Sequence, residues 1–186
     1  MIGTSAFAAS ALMIAFGVLF PVAVACLWIR TRREKVTTVL LGAATWFVFA
    51  IILESIPKAV LLNPVLGIGR AVLGNAAIAG VTAALLAGIF EETGRFVVFK
   101  TLLRNRVNRE TSLSHGIGHG GFEAMYLLAV GGAQNIIYSI LINSGKFGGI
   151  VAQAAAAGAD VSALEALPAQ LMALTPAAVC LSMADM

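Results

Sequence analysis

Charge is scarce in this chain of 186 residues: Lys, Arg, Asp and Glu make up 11% of it, against 60% hydrophobic residues. A soluble domain carries roughly 25% charged residues, so a water-exposed globular fold is excluded. Cysteine is nearly absent as well. Cys26 and Cys180 have no metal-type spacing and cannot build a disulfide framework. The net charge of +3 does not form a nucleic-acid face. Its sources are concentrated in two short clusters, Arg30, Arg32, Arg33 and Lys35, then Lys100, Arg104, Arg106 and Arg109, each between apolar runs. That is the positive-inside pattern of a membrane protein, with lipid and not nucleic acid as the surrounding partner.

What is present is apolar sequence in long runs. Residues 4–29 and 37–56 form the first two, and 71–99 and 111–142 the third and fourth, each long enough to cross a bilayer at about 20 residues per span. The first run ends in Ala23, Val24, Ala25 and Cys26, like a cleavage site, but no basic stretch precedes it and a basic cluster follows, so it is expected to stay as a helix. A Pro- and Gly-bearing connection is expected from Pro57 to Gly69. The fourth run is overlong, about 46 Å at 1.5 Å per residue, with Gly131-Gly132 the natural place to bend. After Asn143-Ser144-Gly145 the chain turns Ala- and Gly-rich. Residues 160–174, with Ser162 and Glu165 in capping-box spacing, predict a short amphipathic helix, and Pro176 opens a last apolar segment. The expected fold is all-α: one polytopic transmembrane bundle over residues 1–186, with about four spanning helices, an outer amphipathic helix and a truncated final segment. With both basic clusters in the cytoplasm, the N-terminus lies outside.

Two patches place ionisable groups inside spans, where each costs several kcal/mol unless paired or hydrated. Glu91, Glu92 and Arg95 lie in the third run, and His115, His119 and Glu123 in the fourth. By helical rise, Glu91 is about 13 Å in from Lys100 and His119 about 15 Å in from Arg109. The two spans are consecutive and joined by a short connection, so acid and imidazole are expected to meet at one level. Positions four apart share a helix face, which aligns Glu91 with Arg95 and makes a row of His115, His119 and Glu123. Such a cluster can work in two ways. A carboxylate can take a proton from water while a histidine stabilises the oxyanion or leaving amine; or two histidines and a carboxylate, His115, His119 and Glu123, can hold zinc, which lowers the pKa of bound water. Glu54 reads as an interfacial carboxylate paired with Lys58. Gly116, Gly118, Gly120 and Gly121, with Gly94 opposite, read first as close helix packing, Gly116 and Gly120 in small-xxx-small spacing.

The strings AGIFEETGRFVVFK from Ala87, SHGIGHGGFEAM from Ser114 and NIIYSILINSG from Asn135 resemble the YhfC family of intramembrane metalloproteases, related to type II CAAX prenyl endopeptidases and PrsW. The resemblance implies an intramembrane peptidase of glutamic or metallo type, with Glu91, Glu92, Arg95 and His119 as catalytic residues. It also implies a membrane-embedded peptide or protein as substrate in a bacterial cell membrane, and the positive-inside pattern puts the site toward the cytoplasm. In the related proteases a Phe stands where His115 stands here, which favours a metal role for His115. The family continues into further helices bearing another His, so the chain is expected to be C-terminally incomplete relative to it. A proton-coupled transporter and a non-catalytic membrane scaffold are the alternative readings.

Overall fold

The computed structural model describes residues 1–158 and 161–184, and every regular element among them is helical. Helix α1 spans Thr4–Arg32 and α2 spans Val36–Trp46; α2 runs on through a π-helical stretch, Phe47–Leu53, into α3 at Ser55–Leu61. Then come α4 (Gly67–Leu73), α5 (Ala76–Lys100), α6 (Arg109–Asn143), α7 (Phe147–Ala156), α8 (Ser162–Ala173) and α9 (Pro176–Ala184). Four helical stretches are long and apolar enough to cross a membrane: Thr4–Arg32, Val36–Leu61, Ala76–Lys100 and Arg109–Asn143. Their apolar side chains, among them Leu85, Ile89 and Phe96 of α5, are largely exposed, as expected where lipid is the solvent. The chain is an integral membrane protein with an all-α fold.

The second span is longer than the hydropathy alone predicts. Glu54 N–H donates to Phe49 O at 3.0 Å, a bond between positions five apart, and this π-helical step shifts the register before α3 begins. Pro57 thereby falls in the first turn of α3, where a missing N–H costs little, and the helix continues to Leu61. The Pro- and Gly-bearing connection shortens accordingly, since α4 starts at Gly67. The third run is split at Gly74-Asn75. Asn75 caps α5 by accepting from Ala77 N at 2.9 Å and Ile78 N at 3.2 Å. Glu54 is buried, at 2% exposure, and pairs with Lys58 at 2.7 Å.

The chain forms two compact units, Met1–Phe20 with Ala124–Met186, and Pro21–Glu123. In the first, Asn143 ties down the N-terminus: Ile2 N donates to its Oδ1 at 2.7 Å, and its Nδ2 donates to Ile2 O at 3.0 Å. Ile2, Ala6 and Leu171 form a small core there, flanked by Phe7, Tyr138 and Ile142. Helix α6 runs unbroken through Gly131-Gly132, and a side chain at Gly132 would press on Ser10 O. The amphipathic segment is helix α8, but its cap position is Val161, with no side-chain cap bond, so Ser162 sits one residue too late for the capping box. Asp160, the expected first residue of that segment, lies outside the described residues. At α9 the cap is Thr175, whose Oγ1 accepts from Ala178 N at 3.2 Å.

The second unit is built on close helix crossings. A Cβ at Gly42 of α2 would strike the His115 carbonyl of α6, and one at Gly118 of α6 would strike the Val39 carbonyl of α2. Across α5, a Cβ at Gly94 would lie 2.7 Å from the Phe49 ring and 3.0 Å from Thr45. Near the turn between α5 and α6, Arg106 donates to both Glu34 oxygens at 3.2 and 3.0 Å and to Thr38 Oγ1 at 3.2 Å. Trp28 Nε1 donates to Ser114 Oγ at 2.8 Å. These bonds hold α1, α2 and α6 in register beneath the ionisable cluster.

Candidate active site

Consecutive helices α5 and α6, joined by residues 101–108, bring the two polar patches together within the Pro21–Glu123 unit. His119 Nε2 lies 3.1 Å from Glu91 Oε2. Arg95 Nη2 stands 3.3 Å from the same Glu91 oxygen and 3.3 Å from His119 Nε2, while Arg95 Nη1 bonds Glu92 Oε1 at 2.6 Å. A guanidinium only donates, so the Nε2 that faces both groups either gives a proton to Glu91 or receives one from Arg95; the shorter contact favours donation to Glu91. The other ring nitrogen, Nδ1, is buried and has no hydrogen-bond partner.

The two neighbouring carboxylates divide as helical angles require. Glu91 is only 21% exposed and looks at His119, whereas Glu92 is 69% exposed and holds Arg95 from its outer side. Their partners Arg95 and His119 line an open cavity of about 460 Å³ together with Phe99, Ser112, His115, Gly116, Gly120 and Glu123. Gly116 and Gly120 therefore do not pack against a helix: a Cβ at either would meet nothing within 4 Å. Of the expected packing glycines Gly118 and Gly94 do pack closely, joined by Gly42 of α2, and the two outward glycines keep the cavity wide.

For a metal, the converging donors are Glu91, His119 and Glu123, whose ligand atoms lie within 4.8 Å of one another. His115, expected in that set, lies beside it: its ring centroid is 6.1 Å from that of His119, and its Nε2 faces Thr45 Oγ1 at 3.1 Å. Two carboxylates and one imidazole are a donor set able to hold a divalent cation. Thr45, Phe99 and Ser112 border the cluster without having been marked by the sequence, where they look like ordinary helix filler.

The family model described as YhfC intramembrane metalloprotease matches residues 16–183. The chain belongs to the YhfC family. A YhfC-family relative is the uncharacterized membrane protein YhfC of Bacillus subtilis (strain 168), 30% identical over 147 residues, which are 79% of this chain and 57% of the relative. The chain thus spans a little over half the length of that curated relative. No solved structure gives a significant match. All the ionisable residues of the cluster fall inside the stretch that matches the YhfC family.

Proposed function

We propose that the protein hydrolyses peptide bonds of membrane-associated substrates in the cavity beside Glu91 and His119. The observation that carries this reading is the 3.1 Å contact between Glu91 and His119 within spanning helices, His119 itself lining an open cavity together with Arg95, His115 and Glu123. Glu91 takes a proton from the attacking water, and the imidazole at its side holds the carboxylate in place and offers a proton to the departing amine. Arg95 supplies positive charge where the oxyanion develops, and Glu92 holds the guanidinium from outside. With the His119 ring hydrogen on Nδ1 instead, so that Nε2 offers a lone pair, Glu91, His119 and Glu123 are the residues that would hold zinc, with His115 next to them. Zinc bound there supplies Lewis acidity and a more acidic water. The family's description as intramembrane metalloprotease and the donor set both support this assignment.

By the positive-inside pattern the site faces the cytoplasm of a bacterial cell membrane and the N-terminus lies outside. The test is metal analysis of the purified full chain together with cleavage of candidate membrane substrates by wild type, Glu91→Gln and His119→Ala. Loss of cleavage in both variants, with folding retained by circular dichroism, is the expected result. Cleavage at the wild-type rate in either variant would refute the assignment.

A further inference from the structure

The second unit contains a polar contact that the catalytic reading does not use. Thr45 of α2 is buried at 3% exposure, and its Oγ1 makes two contacts: Leu41 O at 2.6 Å and His115 Nε2 at 3.1 Å. A carbonyl oxygen only accepts. Two oxygens 2.6 Å apart with no hydrogen between them would set lone pair against lone pair, so the hydroxyl hydrogen belongs to the Leu41 contact. Thr45 Oγ1 then has only lone pairs left for His115, and Nε2 must carry the hydrogen.

We infer that Thr45 is a positioning residue that locks neutral His115 in its Nε2–H form and so makes His115 Nδ1 a hydrogen-bond acceptor for the backbone N–H of the peptide substrate. The ring cannot readily turn to escape this assignment. His115 is 2% exposed, and Phe99 lies with its ring centroid 5.1 Å from that of His115. His115 is one of the residues lining the cavity, so the acceptor is offered from within the cavity wall to a substrate seated against it. The substrate role rests on the function proposed above; the tautomer does not.

The chain has only two histidines, so selective ¹⁵N-His labelling gives four ring-nitrogen signals, assigned with His115→Gln. At a fixed pH where both rings are neutral, wild type is expected to show His115 protonated at Nε2. Thr45→Val, which keeps the shape but removes the acceptor, is expected to lose that single form, and Thr45→Ser to restore it. In cleavage assays Thr45→Val should lower kcat/KM about tenfold, the weight of one hydrogen bond, and Thr45→Ser should recover most of it. A wild-type His115 protonated at Nδ1, or a tautomer unchanged in Thr45→Val, overturns the positioning assignment. A fixed Nε2–H form with kcat/KM unchanged in Thr45→Val overturns the acceptor role. If wild type shows the fixed tautomer but cleaves nothing, the proposed function fails while the Thr45 lock stands.

Discussion

Glycine to alanine is the mildest substitution available, and within one stretch of α6 it should have opposite effects two residues apart. At Gly116 and Gly120 a new Cβ meets nothing within 4 Å, so only helix propensity changes. Alanine is favoured over glycine in a helix by ~0.8–1 kcal/mol, so Gly116→Ala should be neutral to stabilising by about that amount. At Gly118 the same methyl would strike the backbone carbonyl of Val39, and at Gly42 that of His115. Backbone cannot rotate aside as a side chain can. Overpacking of this kind costs ~1–3 kcal/mol, and two helices pressed backbone to backbone belong at its upper end. Allowing for the propensity gain, Gly118→Ala should be less stable than Gly116→Ala by ~2–3 kcal/mol. Thermal unfolding of the single variants in the same detergent, followed by circular dichroism, gives the comparison. Equal stability of Gly118→Ala and Gly116→Ala would refute the claim that α2 and α6 cross at Gly42 and Gly118.

Removing Arg106 should expose how much the α1–α2 turn depends on the α5–α6 turn. Glu34, 9% exposed, would lose its guanidinium partner, so Arg106→Gln is expected to cost ~1–3 kcal/mol in the same unfolding assay. Asn143→Ala deletes both bonds to Ile2, and amide exchange at Ile2 should accelerate at least tenfold, the effect of ~1.4 kcal/mol or more. Glu92→Gln should leave substantial cleavage where Glu91→Gln abolishes it, because Glu92 is 69% exposed and touches the site only through Arg95. Equal losses in the two variants would contradict the division of the carboxylates.

The spans were legible because a long apolar run has few other physical outcomes, and the meeting of Glu91 with His119 was legible because consecutive antiparallel helices with a short connection must be neighbours. Interruptions of those spans were harder to see. The π-helical step at Phe47–Leu53 depends on how α2 packs, and its residues are ordinary apolar ones. Asn75 did carry a signal, a capping residue at the head of an apolar stretch, but the run read as continuous across it. The glycines show a different limit. Spacing puts Gly116 and Gly120 on one face and Gly118 on another, yet which face meets a helix depends on α2, a span distant in sequence. Thr45 was invisible for the same reason: only the fold places it against His115.

Arg95 makes the nature of the site measurable. Its Nη2 lies 3.3 Å from both Glu91 Oε2 and His119 Nε2, two of the three donors that would hold a cation. A fixed positive charge so close opposes a second one. Against a divalent zinc ion at ~5 Å the repulsion is ~7 kcal/mol at an effective dielectric constant of ~20 and ~2 kcal/mol at that of water. Arg95 is 40% exposed, so solvent screening favours the lower figure, and ~1–2 kcal/mol remains a fair expectation. Arg95→Gln should therefore bind zinc about five- to thirtyfold more tightly than wild type, measured by calorimetric titration of the full chain at fixed pH. It should also cleave more slowly, since the charge that steadies the oxyanion is gone. Zinc affinity unchanged by the substitution would mean that the guanidinium and a cation do not compete for Glu91 and His119, and the three-donor assignment would fall with it.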